Sequence, residues 1–283
     1  MKETFAIVTE STADIPPDIA AERQIFTTPM HIYWDGQDLR DGVDIDPVAF
    51  YERLATSRSH PTTSQPTLPE FAEIFQKARD VTGAAAVIVM TMSAKLSGTF
   101  NAACQAARMM DFPVYPIDSR TGSLAHGLAA LALADARDEG IGIQEALRLA
   151  QELAAKTRMI FALDTLEYLY RSGRVSNLQR VLGAALQIKP ILHVQDGGIT
   201  LFEQVRTRRR QIKRLFNIFE ECVDASRPLH VGVLHGNSFE EMQAFVSEIV
   251  SRFNPARLVT NTVCPPVGVH TGPGSLGFAI LQR

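Results

Sequence analysis

Residues 86–99 read Ala-Val-Ile-Val-Met-Thr-Met-Ser-Ala-Lys-Leu-Ser-Gly-Thr, an apolar run that passes directly into polar side chains. The run 86–90 has the length and composition of a buried β-strand, and a helix is expected to begin near Ser97. Two similar apolar runs, 5–8 and 114–117, are separated from it by segments with helical spacing. Short buried strands that alternate with helices predict an α/β fold with a mostly parallel sheet.

The second half of the chain has a different pattern. Two apolar runs, 188–194 and 199–205, flank Gln-Asp-Gly-Gly at 195–198, which predicts a hairpin with an Asp-Gly turn. A helix, a strand, a second helix and a second strand are expected at about 207–223, 229–234, 238–253 and 257–263. The sequence therefore predicts an α/β domain over residues 1–156 and an α+β domain over residues 157–283, with a cleft between them.

Composition narrows the class of function. The 283 residues are 46% hydrophobic and 21% charged, as in an ordinary soluble globular protein, and the net charge of −3 gives no field for holding nucleic acid. Three widely spaced cysteines with no Cys-x-x-Cys pair argue against a disulfide framework and a zinc site. No apolar run reaches the roughly 20 residues of a membrane span, and residues 1–6 do not resemble a signal peptide. We therefore expect a cytoplasmic protein.

Three polar segments, far apart in sequence, carry the candidate site. They are Thr63-Ser64-Gln65-Pro66, the stretch around Ser93, and Val269-His270-Thr271-Gly272-Pro273-Gly274. None contains Asp or Glu, so together they would form a neutral cluster of hydrogen-bond donors that suits a carboxylate. Ser93 is expected in the crevice beyond the strand ends, and Thr63 and Ser64 on a loop or helix entry. His270 is expected among glycines that let the backbone approach a ligand.

Each segment also has an ordinary structural explanation. The hydroxyls of the first two segments could cap helices, and a lone histidine is usually structural. Residues 272–277 fit Gly-x-Gly-x-x-Gly, but only six residues follow, which leaves no room for a dinucleotide-binding unit. Arg206 begins a basic run that continues to Arg214. Such a run is usually a solvated helix face, and the alternative is a docking surface for an acidic partner or a phosphorylated head group.

In this order and with these residues, the three segments resemble the DegV family of bacterial fatty-acid-binding proteins. Further family-like motifs are Gly173-Arg174-Val175-Ser176, Ile188-Lys189-Pro190-Ile191-Leu192 and Asp118-Ser119. The resemblance covers almost the whole chain and implies an α/β domain paired with an α+β domain. One departure is Glu10, which stands where the family usually has Asp in an Asp-Ser-Thr motif.

The resemblance implies a non-catalytic protein that binds one long-chain fatty acid, such as palmitate, stearate or oleate, without a cofactor or metal. Carried over to this sequence, the carboxylate ligands are Thr63 with Ser64 beside it, Ser93 and His270. Many family members present the acid to a separate fatty acid kinase, which makes acyl phosphate for phospholipid synthesis. Arg174 and Arg206 match arginines near that docking surface. A transient contact with a membrane surface is compatible with this role.

Two other functions stay open on the sequence. Ser93 as nucleophile and His270 as base would make a serine-dependent acyl hydrolase, although no Gly-x-Ser-x-Gly elbow is present. A regulator that binds a nucleotide or a sugar phosphate is suggested by the glycines alone. For a fatty acid, each buried methylene contributes roughly 0.8 kcal/mol, so about ten of them would contribute ~8 kcal/mol before the cost of association. The tail would then supply most of the affinity, and the head group would orient the acid.

Overall fold

The computed structural model describes residues 4–174 and 188–282. The strands are β1 (Phe5–Glu10), β2 (Ile25–Thr28), β3 (His31–Trp34), β4 (Gln37–Arg40), β5 (Thr62–Ser64), β6 (Ala86–Thr91), β7 (Val114–Asp118), β8 (Arg158–Ala162), β9 (Lys189–Gln195), β10 (Gly198–Val205), β11 (Leu229–Gly236), β12 (Arg257–Thr262) and β13 (Ser275–Gln282). The helices are α1 (Pro17–Glu22), α2 (Pro47–Thr56), α3 (Leu68–Thr82), α4 (Thr99–Ala107), α5 (Leu124–Asp138), α6 (Ile143–Lys156), α7 (Glu167–Arg171), α8 (Arg208–Cys222), α9 (Phe239–Phe253) and α10 (Pro265–Thr271). A 3-10 turn, Ser11–Ala13, follows β1.

The first sheet has the strand order β2-β1-β6-β7, and all its neighbouring strands are parallel. Every residue of β1 and β6 is buried, because helices cover both faces of the sheet. Phe71 and Phe75 of α3 and the alanines of α4 pack on one face. Helices α5 and α6 pack on the other. The continuous apolar runs of these strands are therefore those of a parallel sheet, as predicted.

The second sheet has the order β10-β9-β8-β13-β11-β12. Its neighbouring strands are antiparallel except β11 and β12, which are parallel. The predicted hairpin is confirmed: β9 and β10 are joined by Asp196 and Gly197, whose φ angles of 52° and 82° are those of a left-handed two-residue turn. With this mixed sheet beside the parallel one, the predicted fold class is confirmed.

Helix α5 lies between the two sheets. It contacts β1 and β6 on one side and β11 and β13 on the other, and its side chains are buried almost all round. A helix that is apolar on every face is typical of such a central layer. The division of the chain after residue 156 stays a prediction, and helix α6, on its N-terminal side, also contacts strands of both sheets.

A third sheet, with the order β4-β3-β5, lies between β2 and α3 in the sequence. Its core joins Trp34 and Phe50 to Val269 of α10. His31 lies between Asp38, at 2.8 Å, and Glu70, at 3.0 Å. Burial opposes charge on this imidazole, but the hydrogen bonds to Glu70 and Asp38 outweigh it and raise the pKa of His31. The hydrogen bond to Glu70 thus ties this sheet to α3.

Candidate ligand-binding site

A pocket lies where the three sheets meet, with walls from β5, the segment after β6, β8 and α10. It encloses about 860 Å³ of empty space including its open mouth, of which the centre of a water-sized sphere reaches about 100 Å³. The pocket is therefore narrow. Its walls are mostly apolar and include Met92, Leu96, Phe161, Val194, Ile199 and Leu234. Narrow and apolar space of this kind suits an alkyl chain.

Thr63 and His270 meet in the pocket wall. Strand β5 pairs with β3 and places Thr63 opposite Ile32, while α10 carries His270. His270 Nε2 lies 3.1 Å from Thr63 Oγ1. Burial, together with the positive charge of Arg174, lowers the pKa of His270 to about 3, so the ring is neutral near pH 7. A neutral imidazole carries one N–H and can donate it to a carboxylate.

Arg174 lines the same pocket. Its guanidinium donates to the Ser172 carbonyl at 2.6 Å, and burial lowers its pKa. Arg206, which the sequence placed with it at a docking surface, instead lies exposed just after β10. The docking role of both arginines stays a prediction. Val175 and Ser176, which complete the Arg174 motif, lie outside the described residues.

Ser93 is buried after β6, as predicted, but it is not among the residues that line the pocket. Its hydroxyl donates to the Gly197 carbonyl at 2.7 Å and accepts the Lys95 N–H at 3.2 Å. A hydroxyl has one proton, so Ser93 can donate to a carboxylate only by giving up Gly197. Its role as a carboxylate ligand stays a prediction.

Ser64 also lies outside the lining of the pocket, and its hydroxyl donates to the Gln65 carbonyl at 3.2 Å. The structure therefore brings Thr63, His270 and Arg174 to one pocket and leaves Ser64 beside it. Thr63 and Ser64 belong to a strand rather than to the expected loop or helix entry. The carboxylate role of Ser64 stays a prediction.

Ser275 is a pocket residue that the sequence analysis missed. It is buried, and its hydroxyl meets the hydroxyl of Tyr51. His270 Nδ1 is buried without a hydrogen-bond partner within residues 4–174 and 188–282. A buried polar atom without a partner costs free energy, so a protonated Nδ1 would gain from a ligand oxygen. The signal in the sequence was position, since Ser275 directly follows the His-Thr-Gly-Pro-Gly run.

Glu10 accepts hydrogen bonds from two residues of the pocket wall. Its Oε1 accepts the Thr12 hydroxyl at 2.8 Å and the Met92 N–H at 2.9 Å, and it lies 3.4 Å from His126 Nε2. Thr12 and Met92 both line the pocket. The carboxylate of Glu10 thus holds two pocket residues in place.

Residues 4–174 and 188–282 contain no group of three or more His, Cys, Asp or Glu side chains arranged to hold a metal ion. In the same residues, no helix combines the length and apolar character needed to cross a bilayer.

Comparison with known proteins identifies the family. The model of the DegV family, described as uncharacterised, matches residues 4–283. Protein DegV of Bacillus subtilis is 32% identical over 279 residues, which are 97% of this chain and 98% of the relative. The crystal structure of DegV from Bacillus subtilis, described as a fatty acid binding protein, has a TM-score of 0.91 at 32% identity and covers 99% of this chain and 100% of that one. A DegV family protein from Thermus thermophilus, described by its fatty acid binding, has a TM-score of 0.92 at 26% identity and covers 100% of both chains. With a family model that matches nearly every residue and a fold shared over its full length, this chain belongs to the DegV family.

Proposed function

We propose that this protein binds one long-chain fatty acid in the pocket, with the carboxylate at Thr63 and His270. The observation that carries this proposal is the 3.1 Å contact between these two side chains in a narrow pocket whose walls are mostly apolar. The fatty acid binding described for the relatives from Bacillus subtilis and Thermus thermophilus supports it.

The chemistry of the polar wall suits an anion. The neutral Thr63–His270 pair uses one of its two protons internally and donates the other outward, from Thr63 Oγ1 or His270 Nδ1 according to the tautomer. Ser275 adds a hydroxyl, and Arg174 supplies positive charge. Hydrogen bonds to a charged group contribute about 1.5–3 kcal/mol each. The pocket would thus orient the acid and favour it over neutral lipids, while the tail supplies most of the affinity.

The test compares two ligands that differ only in the head group, palmitate and 1-hexadecanol. Thr63→Val keeps the shape of the side chain but removes its hydroxyl. We expect this variant to bind palmitate about tenfold more weakly, the effect of one charge-assisted hydrogen bond, and to bind the alcohol almost as well as the wild type does. Equilibrium binding by calorimetry measures both affinities.

Thr62→Val is the matched control, because Thr62 is the exposed neighbour of Thr63 in the same strand. It should leave both affinities unchanged. A wild-type protein that binds neither ligand would refute the proposed function. An equal loss for palmitate and the alcohol in Thr63→Val would refute the placement of the head group.

We also propose that the bound acid is presented to a fatty acid kinase in the cytoplasm, for phospholipid synthesis, with transient contact to a membrane surface. The exposed side chains of Arg206, Arg209 and Arg210 support a docking surface for an acidic partner, since none has a carboxylate partner within the described residues. By contrast, Arg208 and Arg214 of the same region pair with Glu241 and Glu203.

Reversing the charge of Arg206 tests the docking surface. Arg206→Glu should slow acyl phosphate formation by the kinase about tenfold or more, because opposite charges set the rate of encounter, and should leave palmitate affinity unchanged. Arg227→Glu is a suitable control, because this arginine is exposed and pairs with Asp224. Equal rates for the two variants would argue against the surface.

The acyl hydrolase alternative gains no support from the geometry. The Ser93 hydroxyl bonds to Gly197, and the His270 ring bonds to Thr63. In the part of the chain that the structure describes, the two side chains that would form the nucleophile and base are therefore each engaged elsewhere.

A further inference from the structure

Asp14 is a buried acid that the proposed site does not use. It is 3% exposed and follows the 3-10 turn after β1. Its Oδ2 accepts the Ser123 hydroxyl in a short hydrogen bond, and its Oδ1 accepts the Cys264 backbone N–H at 2.8 Å. Among the described residues, no lysine or arginine forms an ion pair with it. A buried carboxylate held without a cation is costly, which points to a role beyond stability.

The two donors to Asp14 begin two helices of the pocket. Ser123 is the N-cap of α5 and lines the pocket, and Cys264 is the N-cap of α10, which carries His270. The Asp14 carbonyl also accepts the Asn261 side chain at 2.9 Å, just before α10. One residue of the segment after β1 is therefore hydrogen-bonded to the N-caps of both helices.

The backbone conformation of Ser123 is unfavourable and is held by the residues around it. Its backbone angles, φ 56° and ψ −152°, lie in a region that is almost restricted to glycine and costs of order 1–3 kcal/mol for other residues. Such a conformation persists only where the surroundings hold it. The hydrogen bond to Asp14 is the side-chain contact that holds Ser123 in place.

We propose that Asp14 is a positioning residue of the fatty acid site, whose carboxylate fixes Ser123 and α10 and so sets where His270 meets the ligand. This inference rests on the proposed function. It assigns to Asp14 no contact with the ligand. Its effect passes through the helix that carries His270 and through the pocket wall at Ser123.

The charge of Asp14 gives the proposal a distinctive test. Burial raises the pKa of Asp14 to about 6, against the opposing effects of Ser123, Cys264 and His126. As pH falls through this value the carboxylate gains a proton, and its charge-assisted hydrogen bonds become neutral ones of roughly half the strength. The hydrogen bond from the N-cap of α10 to the Asp14 carboxylate is thus strong above about pH 6 and weaker below it.

Other titratable groups face Asp14 from the elements packed around it. They are His126 of α5, Cys264 of α10, Tyr51 of α2 and Asp41 of the loop after β4. Burial raises the pKa of Asp41 to about 7, and the charge of Asp14 adds to this rise. Asp41 thus titrates in the same range, and because the Asp14 charge contributes to its raised pKa, Asp14→Asn should shift the Asp41 titration to lower pH.

The experiment measures the affinity of the full chain for 1-hexadecanesulfonate between pH 5 and pH 8, because this ligand keeps its negative head group over the whole range. The wild type should bind more tightly as pH rises through about 6. Asp14→Asn should bind about tenfold more weakly at pH 7.5, because α10 and the pocket wall at Ser123 are held less firmly, and should lose the part of the pH dependence that comes from Asp14. Ser123→Ala should move that part of the pH dependence to higher pH, because the Ser123 hydrogen bond lowers the pKa of Asp14.

Asp18→Asn, which changes an exposed acid of α1, is the control and should match the wild type. If the wild type binds neither palmitate nor the alcohol, the proposed function fails. If the wild type binds and Asp14→Asn keeps its affinity and pH profile, the role of Asp14 is overturned. If Asp14→Asn does not fold, Ser123→Ala provides the test. A pH dependence of ligand affinity that is the same in Ser123→Ala as in the wild type would then overturn the positioning role of Asp14.

Discussion

The Ser93 hydroxyl joins the first sheet to the turn of the β9–β10 hairpin. Its acceptor, the Gly197 carbonyl, lies 104 positions later in the chain. Arg120 and Asp196 pair beside it at 3.2 Å, on the surface, where such a pair adds little stability. Val194 and Ile199 of the same hairpin line the pocket. Ser93 therefore helps to hold one wall of the pocket, whether or not it also meets a ligand.

Substitution of Gly197 tests how tightly this turn is held. A Cβ atom there would lie 2.6 Å from Ser93 Oγ, and the φ of +82° is already unfavourable for alanine. We expect Gly197→Ala to lower the free energy of unfolding by about 2–3 kcal/mol, of which about 1–2 kcal/mol comes from the backbone conformation alone. Urea denaturation measures the change.

Gly36→Ala is the matched control, because Gly36 has a φ of +78° and open space around its Cα. It should show only the backbone cost. Removal of the Ser93 hydroxyl in a Ser93→Ala, Gly197→Ala double variant should recover the difference. Equal losses in the two single variants would show that Ser93 moves aside freely.

For single residues, the sequence predicted the position in the fold better than it predicted the hydrogen-bond partner. Ser93 could be placed because it directly follows an apolar strand. Its bond to Gly197 could not be predicted, since that contact depends on how two sheets pack. His270 was identified by its glycine-rich surroundings, but its contact with Thr63 depends on pairing between remote segments.

At the scale of elements, Gly127 of α5 shows how closely the layers approach. A Cβ atom at this position would lie 2.3 Å from the carbonyl oxygen of Ala13 in the 3-10 turn. Alanine normally stabilises a helix by about 1 kcal/mol relative to glycine. Here the neighbour is backbone and cannot rotate away, so glycine is required by the packing.

We therefore expect Gly127→Ala to lower the free energy of unfolding by about 1–3 kcal/mol, opposite in sign to the effect of helix propensity. Thermal and urea denaturation both report it. Ala155→Gly, at an exposed position of α6, measures the propensity effect alone and should cost up to about 1 kcal/mol. A stabilised Gly127→Ala protein would show that the turn can shift.

Strands and helices of ordinary length could be predicted from the sequence, but the short strand β5 and the short helix α10 could not. The runs that became β1, β6 and β7 were apolar throughout, and the Asp-Gly turn marked the β9–β10 hairpin. Strand β5 has three residues, too few for a periodic pattern, and forms because it pairs with β3. Helix α10 was hidden by its glycines, although Pro265 at its start and Gly272 after its end are typical boundary signals.

At the scale of the whole molecule, the three sheets share helices and ion pairs. Val269 of α10 packs in the core of the third sheet, and His31 ties that sheet to α3. Trp34, the one tryptophan of the chain, is buried there beneath Arg53 and donates to Ser59 at 3.0 Å. Its fluorescence therefore reports the third sheet, while circular dichroism reports all the helices and strands.

We expect the two signals to change at the same urea concentration, because shared layers make the chain unfold as one cooperative unit. His31→Gln removes the hydrogen bonds of the imidazole to Glu70 of α3 and should move the Trp34 transition to lower urea than that of circular dichroism. Glu73→Gln, at an exposed site on α3, should leave the signals together. Separate transitions in the wild type would mean that the third sheet unfolds alone.

The central position of α5 has a consequence for the width of the pocket. Most of its side chains are alanine or leucine, and they share one core cluster with Met159, Phe161 and Leu234, which also form the pocket wall. Its methyl groups act as a spacer that sets the gap between the sheets. Exchange of small for larger residues along this spacer would push the layers apart and change the room inside the pocket, while Thr63 and His270 stay untouched.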